Sequence, residues 1–427
     1  MNSWLEGIVD KLRASFWPVP SLMFSVAVVL ALWLPWVDRN FGDALVDNFG
    51  WLYGGEAEGA RAMLSTIAGS MMTVTGVVFS ITILTLVLAS AQFGSRLLQS
   101  FMRDPGNQVV LGSFVSTFVY SIIVLRSVRD GFVPQLSVTV ALLLVFASVA
   151  VLIYFIHHVA TKIQAESVVA TVHRELSDTI CRLLSEHPCD DPQLALPDGF
   201  EQDARPVLAP SSGYLQVTAH ETLVALSAKH DLVVRAPYRA GDFVIEGTPL
   251  LYVRADRPLD DKLNDELADT LAVGSRRTIT QDIEHGVHQL VQIGVRALST
   301  GINDPFTAIN CIDRLAAALC QIARRHFPST QLKDEDGRLR VVIKGNDFAG
   351  CVDAAFNQIR QHAGTNPAVV IRLLEAIGRV SEAARTDSQR RPLMLHADMV
   401  LAEGRRAFTQ PRDLEALERR YQAVQAA

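Results

Sequence analysis

Charged residues make up only 20% of this 427-residue chain, and acidic side chains slightly outnumber basic ones, giving a formal net charge of −6. Without a basic excess the chain has no general nucleic-acid footprint, so we expect no nucleic-acid partner. Cysteine is scarce as well. The five cysteines form no C-x-x-C pair, and their odd number fits free thiols in a reducing cytosol better than a disulfide framework.

Familiar catalytic motifs are also missing. The sequence has no P-loop, no G-x-S-x-G elbow, no Rossmann fingerprint and no H-E-x-x-H helix. No nucleophile, base and orienting group can be assembled from its motifs. We therefore expect no catalytic residues, no cofactor and no enzymatic activity.

What the sequence does contain is long apolar runs, since 49% of its residues are hydrophobic and the runs lie before about residue 160. Four runs, at 21–37, 64–90, 109–125 and 133–156, are each near the roughly 20 apolar residues that a hydrocarbon core requires. We therefore predict an α-helical membrane protein with four transmembrane helices in residues 1–160. A mixed α+β, mainly helical cytosolic region with a small β-module should follow.

Four spans place both termini on the same side of the membrane. The basic residues divide unevenly between the two sides of the membrane. Because cytoplasmic loops carry an excess of Lys and Arg, the side with more basic residues is predicted to be cytoplasmic. The two sets are Lys11, Arg13, Arg96, Arg103 and Lys162 against Arg39, Arg61, Arg126 and Arg129. Together with the unpaired cysteines, this predicts a multi-pass bacterial inner-membrane protein with both termini in the cytoplasm and the loop 38–61 in the periplasm.

One face of the second predicted span consists of small and hydroxyl residues, which we call the small-residue stripe. Its members follow one another at helical spacings of three and four: Thr66, Gly69, Thr73, Gly76 and Ser80. Such a stripe is typical of tight packing between helices. It also suits a pore or substrate path, usually in a homo-oligomer, because hydroxyl-lined helices are compatible with permeation.

The loop after the second span carries Arg96 and Arg103, which would lie near the cytosolic mouth of such a path and favour anions. The third span has hydroxyl residues of its own, and Gly112 and Ser116 form a small-x-x-x-small pair. No charged residue lies at the middle of a span, which argues against an ion-coupled pump.

The remainder of the chain has the composition of a soluble protein. We predict a stalk helix over 161–186, a Pro- and Asp-rich linker over 187–212, a β-module over 213–256 and a mainly helical region over 257–427. Within the β-module, strands are predicted at 213–217 and 231–235, and two more around a tight turn in 240–253.

A turn between two predicted helices forms a second candidate site. Gly301 fits the left-handed residue after a helix, Asp304 fits an N-cap and Pro305 fits the first helical position. The favoured explanation of these residues is an efficient turn. Alternatively, Asn303 and Asp304 offer polar groups at a helix N-terminus to a ligand or a neighbouring subunit.

A metal site is the less favoured interpretation of the acidic and histidine residues near position 285. His285 and His288 are three residues apart, whereas zinc-binding helices more often use a spacing of four with a glutamate between. The set Asp282, Glu284, His285 and His288 is better explained as a solvated polar face. We predict no metal ligand.

Several segments together resemble a bacterial family of predicted membrane proteins that is defined by a domain of unknown function. They are 76–82 (GVVFSIT), 89–98 (ASAQFGSRLL), 101–104 (FMRD) with Gln108, 111–114 (LGSF), 117–121 (TFVYS) and 297–308 (ALSTGINDPFTA). The resemblance spans nearly the whole chain. It implies four N-terminal spans and a soluble C-terminal part, and it implies no activity.

Two functional hypotheses follow. The first is a homo-oligomeric, channel-like protein in which the second span lines the path and the cytosolic part assembles or gates it. Its partners would be the lipid bilayer, further copies of the chain and a permeant ion or small ligand. The second is a non-conducting membrane scaffold or sensor that binds a partner or small ligand through its cytosolic helices.

Overall fold

The computed structural model describes residues 17–48, 53–93, 105–162, 164–188, 194–364 and 366–426. They form two compact units, Met1–Val168 and Val169–Ala427. The helices of the first unit are α1 (Pro18–Asn48), α2 (Ala57–Phe93), α3 (Pro105–Ser127) and α4 (Gln135–Lys162), and α5 (Ala165–Leu183) leads into the second.

The first three predicted apolar runs lie within α1, α2 and α3, and the fourth lies within α4 except for its first two residues. Helix α1 continues past the predicted span to Asn48, so part of the segment predicted as the loop 38–61 is helical. In the described part of the chain, five helices are long and apolar enough to cross a membrane. The fifth is Pro305–Ala323 in the second unit, so the count of four spans is not confirmed by length and composition.

Helix α3 is the centre of the first unit, because its contacts with α1, α2 and α4 are more extensive than those of any other helix there. Half of its apolar segment is buried, against 22% of the segment in α2. Gly112 of α3 allows α1 to approach closely: a Cβ atom there would lie 2.6 Å from the sulfur of Met23 and 3.2 Å from Cα of Pro20. The small residue at this position therefore permits tight helix packing.

Hydroxyl groups of α3 face the interior of the first unit. The Tyr120 hydroxyl donates to the carbonyl of Ser137 in α4 at 3.0 Å. The hydroxyls of Thr117 and Ser148 lie 3.1 Å apart and join the same two helices. All four residues are buried, so hydrogen bonds offset the cost of placing these polar groups inside.

The second unit contains two small sheets. Its strands are β1 (Arg205–Leu208), β2 (Gly213–Thr218), β3 (Val233–Ala236), β4 (Phe243–Val244), β5 (Pro249–Arg254), β6 (Leu271–Gly274), β7 (Gln331–Lys333) and β8 (Leu339–Ile343). The five-stranded sheet has the order β1-β5-β3-β8-β7, and the three-stranded sheet has the order β4-β2-β6. All pairs are antiparallel except β3 and β8, which run parallel with Val234 opposite Val341.

The predicted strand segments are present, but they do not form a self-contained β-module. Strands β4 and β5, predicted as neighbours around a turn, belong to different sheets. Their sheets are completed by β1, from the predicted linker, and by β6, β7 and β8, from the region predicted to be mainly helical. Strand pairing between distant segments leaves no local periodic signal, so the sequence could not indicate it.

Helices make up the rest of the second unit. They are α6 (Phe200–Asp203), α7 (His220–Lys229), α8 (Asp261–Ala268), α9 (Ile283–Ala297), α10 (Pro305–Ala323), α11 (Phe348–Ala363), α12 (Pro367–Ala383), α13 (Asp387–Ala407) and α14 (Pro411–Ala426). From α9 to α13, each begins at a capping side chain that accepts a backbone N–H: Asp282, Asp304, Asp347, Asn366 and Thr386.

Helix α10 packs against α9, α11 and α12. Its apolar side chains, among them Ile312, Leu315 and Leu319, are fully buried within the second unit. The opposite side carries Asp313, which accepts one hydrogen bond from Arg372 of α12 and forms an ion pair with it. The helix is therefore amphipathic, with one face in the core and a charged face paired to its neighbour.

Candidate functional site

All five residues of the small-residue stripe are exposed on the surface of the first unit. The buried residues of α2, including Leu64, Met71 and Val78, lie on the other side of the helix. A Cβ atom added at Gly69 or Gly76 would meet no atom within 4 Å. The stripe therefore does not pack against the other described helices of the first unit.

The hydroxyl groups of the stripe are hydrogen-bonded within α2. Thr66, Thr73 and Ser80 each donate to the carbonyl four residues earlier, at 2.8, 3.0 and 2.8 Å. These bonds satisfy the O–H donors at a depth where water is scarce. The oxygen lone pairs still face outward and can accept a hydrogen bond from water or from a neighbouring helix.

The predicted mouth residues Arg96 and Arg103 lie outside the described residues. The metal interpretation of the histidine segment gains no support, because its members have other roles. Asp282 caps α9 and accepts from Arg277 at 2.6 Å, and Glu284 pairs with Arg239 at 2.8 Å. In the part of the chain that the structure describes, no group of three or more His, Cys, Asp or Glu residues could hold a metal.

The turn at Asn303 and Asp304 uses its polar groups locally. Asp304 accepts the backbone N–H of Thr307 at 3.1 Å and its hydroxyl at 2.5 Å, so the carboxylate caps α10. The left-handed residue of the turn is Asn303, with φ of 49°, and Gly301 does not have a positive φ. The prediction that Gly301 takes this conformation was wrong, because asparagine tolerates it too.

A cavity of about 270 Å³ lies in the second unit, at the carboxyl ends of the parallel strands β3 and β8. Tyr238 and Arg239 follow β3, and Lys344 and Asn346 follow β8. The remaining wall comes from the end of α5 and from the segments before α7, before α9 and after α10. Ligands of α/β proteins bind preferentially at the carboxyl ends of parallel strands.

The lining of this cavity is rich in cations and contains no carboxylate. Arg182, Arg239 and Lys344 contribute positive charge, with His220 beside them. Burial lowers the pKa of His220, so its imidazole is neutral near pH 7 and supplies hydrogen bonds rather than charge. Leu184, Ile283, Phe327 and other side chains form an apolar part of the wall.

Ion pairs behind the wall hold two of the three cations in place. Arg239 donates to Asn346 at 2.6 Å and to Glu284 at 2.8 Å. Lys344 donates to Asp242 at 2.9 Å, and half of its side chain is exposed. These interactions fix the directions of the cationic groups before any ligand arrives, which lowers the entropy cost of binding.

Arg182 has a different kind of partner. Its guanidinium donates to the backbone carbonyl of Thr280 at 3.1 Å. A carbonyl is neutral, so this bond orients the side chain without cancelling its charge. Arg182 is therefore the source of net positive charge at the cavity.

Close backbone packing beside the cavity depends on Gly241, which has φ of 96°. A Cβ atom at this position would lie 2.1 Å from the Asp282 carboxylate. The residue thus allows the segment after β3 to approach the start of α9.

The sequence did not predict this cavity, because its cations come from positions 182, 239 and 344. Only the parallel pairing of β3 with β8 brings the last two together. The available local signal was a basic residue within three positions of the end of each of two apolar strands, Arg239 after β3 and Lys344 after β8.

The chain matches the family described as "Predicted membrane protein (DUF2254)" over residues 13–379. Two similar proteins are named Uncharacterized protein Mb1321c, from Mycobacterium bovis, and Uncharacterized protein Rv1290c, from Mycobacterium tuberculosis. Each is 32% identical over 417 residues, which cover 96% of this chain and 80% of the relative. The chain matches no solved structure significantly.

The family match and the several long apolar helices agree on a membrane protein. Because the match covers most of the chain, the protein belongs to the predicted membrane protein family DUF2254.

Proposed function

We propose that the protein self-associates in the membrane through the small-residue stripe of α2 and forms a channel-like assembly. The observation that carries this proposal is the outward orientation of the stripe, whose five residues are exposed on the first unit. A helix surface of glycines and hydroxyls gains little from contact with acyl chains, whereas it allows close approach of a second helix. A further copy of the chain is the occupant that suits it.

A path between subunits is the channel-like part of the proposal. The outward lone pairs of Thr66, Thr73 and Ser80 can replace some of the hydration of a permeating solute. Arg96 and Arg103 follow α2 in the chain and would favour anions near the cytosolic mouth. The second unit would assemble or gate the path.

Four spans with both termini in the cytoplasm of a bacterial inner membrane remain our preferred topology. Helix α10 is apolar enough to span, but its charged Asp313 is paired with Arg372 within the second unit. A charge halfway along a span is costly, which favours α10 as a core helix. The described cysteines Cys181, Cys311, Cys320 and Cys351 are free thiols, as suits the cytosol. We propose no enzymatic activity and no nucleic-acid partner.

The alternative function is a non-conducting scaffold or sensor that binds a small ligand through its cytosolic region. The cation-lined cavity favours it. The turn at Asn303 and Asp304 contributes less to it than expected, because the Asp304 carboxylate is engaged in capping α10.

Substitution of the stripe glycines tests self-association. Gly69→Leu and Gly76→Leu place bulk where the structure leaves open space, so the monomer should fold while subunit contact is blocked. The matched control is Ser70→Leu, since Ser70 is also exposed but is turned about 100° around the helix from Gly69. Molecular mass would be measured in detergent by light scattering, and ion current in planar bilayers.

We expect the wild-type protein and Ser70→Leu to give the same oligomer and the same current. The glycine variants should shift the protein toward monomer and reduce the current. A wild-type protein that is strictly monomeric would contradict self-association. An oligomer without current would contradict the channel and favour the scaffold or sensor.

A further inference from the structure

The cavity beside β3 and β8 has features of a binding site that a structural cavity does not need. Its volume of about 270 Å³ is just below the usual range for ligand pockets, about 300–1,000 Å³, and suits a small ligand. Its polar groups converge on one space, and its apolar wall gives a ligand a surface to bury. The feature that selects the ligand is charge.

The net charge of the cavity predicts the charge of its ligand. Arg239 is balanced by Glu284, and Lys344 is balanced by Asp242. Arg182 donates to a neutral carbonyl. The site therefore carries about one net positive charge, and its described lining includes three cationic residues and no carboxylate.

We propose that this cavity binds a small organic anion whose phosphate or carboxylate group contacts Arg182, Arg239 and Lys344. The apolar part of the ligand lies against Ile283 and Phe327. Each terminal nitrogen of Arg239 donates one N–H, to Asn346 or to Glu284, and its second N–H can donate to an anionic group of the ligand. A purely inorganic anion would leave the apolar wall unused, so the ligand has a compact carbon skeleton.

The proposal is independent of self-association through α2. All the described lining residues belong to the second unit, whereas the stripe belongs to the first. Binding and oligomeric state can therefore be measured separately.

Fluorine NMR of small probes tests the site in the full-length protein, reconstituted in nanodiscs of zwitterionic lipid. The probes are 4-fluorophenyl phosphate, 4-fluorobenzoate and the neutral 4-fluorobenzyl alcohol, which share one ring and differ in the head group. We expect saturable line broadening for at least one anion, with a Kd of about 1 mM or tighter. The neutral alcohol should bind at least about tenfold more weakly.

Three variants locate the binding. Arg182→Gln removes the charge that has only a neutral partner and should raise the Kd of the anion at least about tenfold. Ala240→Phe fills the cavity and should abolish binding, since Ala240 lines it. Arg406→Gln removes an exposed arginine from α13 and is the matched control, with an unchanged Kd expected. Thermal melting of each variant checks its fold.

Arg182→Gln is the decisive variant, because Arg182 is exposed and its loss leaves no buried charge unpaired. A Kd that is the same for Arg182→Gln as for wild type would overturn the proposal. So would equal affinity for the neutral alcohol, or no saturable binding of either anion to the wild-type protein. The relative affinities of phosphate and carboxylate probes identify the head group.

Discussion

The carboxylate of Asp38, in α1, accepts two hydrogen bonds from Ser137, in α4: one from the backbone N–H at 2.9 Å and one from the hydroxyl at 2.6 Å. Its other oxygen accepts the N–H of Leu136 at 2.9 Å. Asp38 is 6% exposed. A residue distant in sequence thus supplies the first turn of α4 with the acceptor that a local N-cap would otherwise provide.

Replacing this acceptor should destabilise the first unit. Asp38→Ala leaves the buried donors of Ser137 without their partner, and we expect a loss of about 2–4 kcal/mol in the free energy of unfolding. Asp130→Ala is the control, since its carboxylate pairs with Arg61 but is 90% exposed, and should cost at most about 1 kcal/mol. Thermal melting in detergent compares the two. Equal stability of both variants would show that the Asp38 bonds contribute little.

Substitution of glycine by leucine should lower the stability of the protein at one position in α3 but not at one position in α2. Gly112→Leu forces a side chain into the contact with Met23 and Pro20, and overpacking of this kind costs about 1–3 kcal/mol or more. Gly69→Leu meets open space and should leave the melting temperature of the monomer unchanged or slightly higher. If Gly69→Leu unfolded the monomer, the assignment of the stripe to an outer surface would be wrong.

In the turn before α10, substitutions at the adjacent residues Asn303 and Asp304 should have different effects on stability. Asp304→Ala removes the cap of α10 and should cost about 0.5–2 kcal/mol. Asn303→Gly keeps the left-handed backbone and should be neutral or slightly stabilising, whereas Asn303→Val should be destabilising by about 1–2 kcal/mol. Urea denaturation monitored by circular dichroism measures all three. A loss of stability in Asn303→Gly as large as in Asp304→Ala would mean that the Asn303 side chain is itself required.

Stability should fall as the pH is lowered through the histidine range. Burial is the main cause that lowers the pKa of four histidines, namely His173, His220, His288 and His396. These groups are neutral in the folded protein but bind protons near pH 6.5 when the chain unfolds. Their contribution to the free energy of unfolding is therefore complete above about pH 6.5. It is lost as the pH falls toward the lower pKa values of the folded protein.

The measurement is the melting temperature between about pH 7.5 and pH 5.5, with His288→Gln as the variant. The wild-type melting temperature should decrease over this interval, and the variant should show a smaller decrease. Carboxylates affect stability over a different pH range. The hydrogen bond from Arg340 lowers the pKa of Asp334, so the contribution of Asp334 to stability is lost only at more acidic pH. A melting temperature that is flat or rises on acidification to pH 5.5 would contradict the buried neutral histidines.

Local chemistry made parts of this fold predictable. The four apolar runs were found because a span needs a long stretch without charge. Asp304 was found because a capping residue followed by proline is a short-range signal. The start of α13 was not predicted, although Thr386 and Gln389 have the spacing of a capping box.

The sequence by itself determined which residues share a helix face, because that depends only on the repeat of the α-helix. It therefore defined the small-residue stripe of α2. Only the tertiary structure decided that this stripe is turned outward while hydroxyls of α3, such as Thr117, are turned inward. Which face is buried depends on the neighbouring helices, and the period of one helix carries no information about them. The cavity at the carboxyl ends of β3 and β8 was likewise decided by the tertiary structure, since the parallel pairing of these strands joins segments about a hundred residues apart.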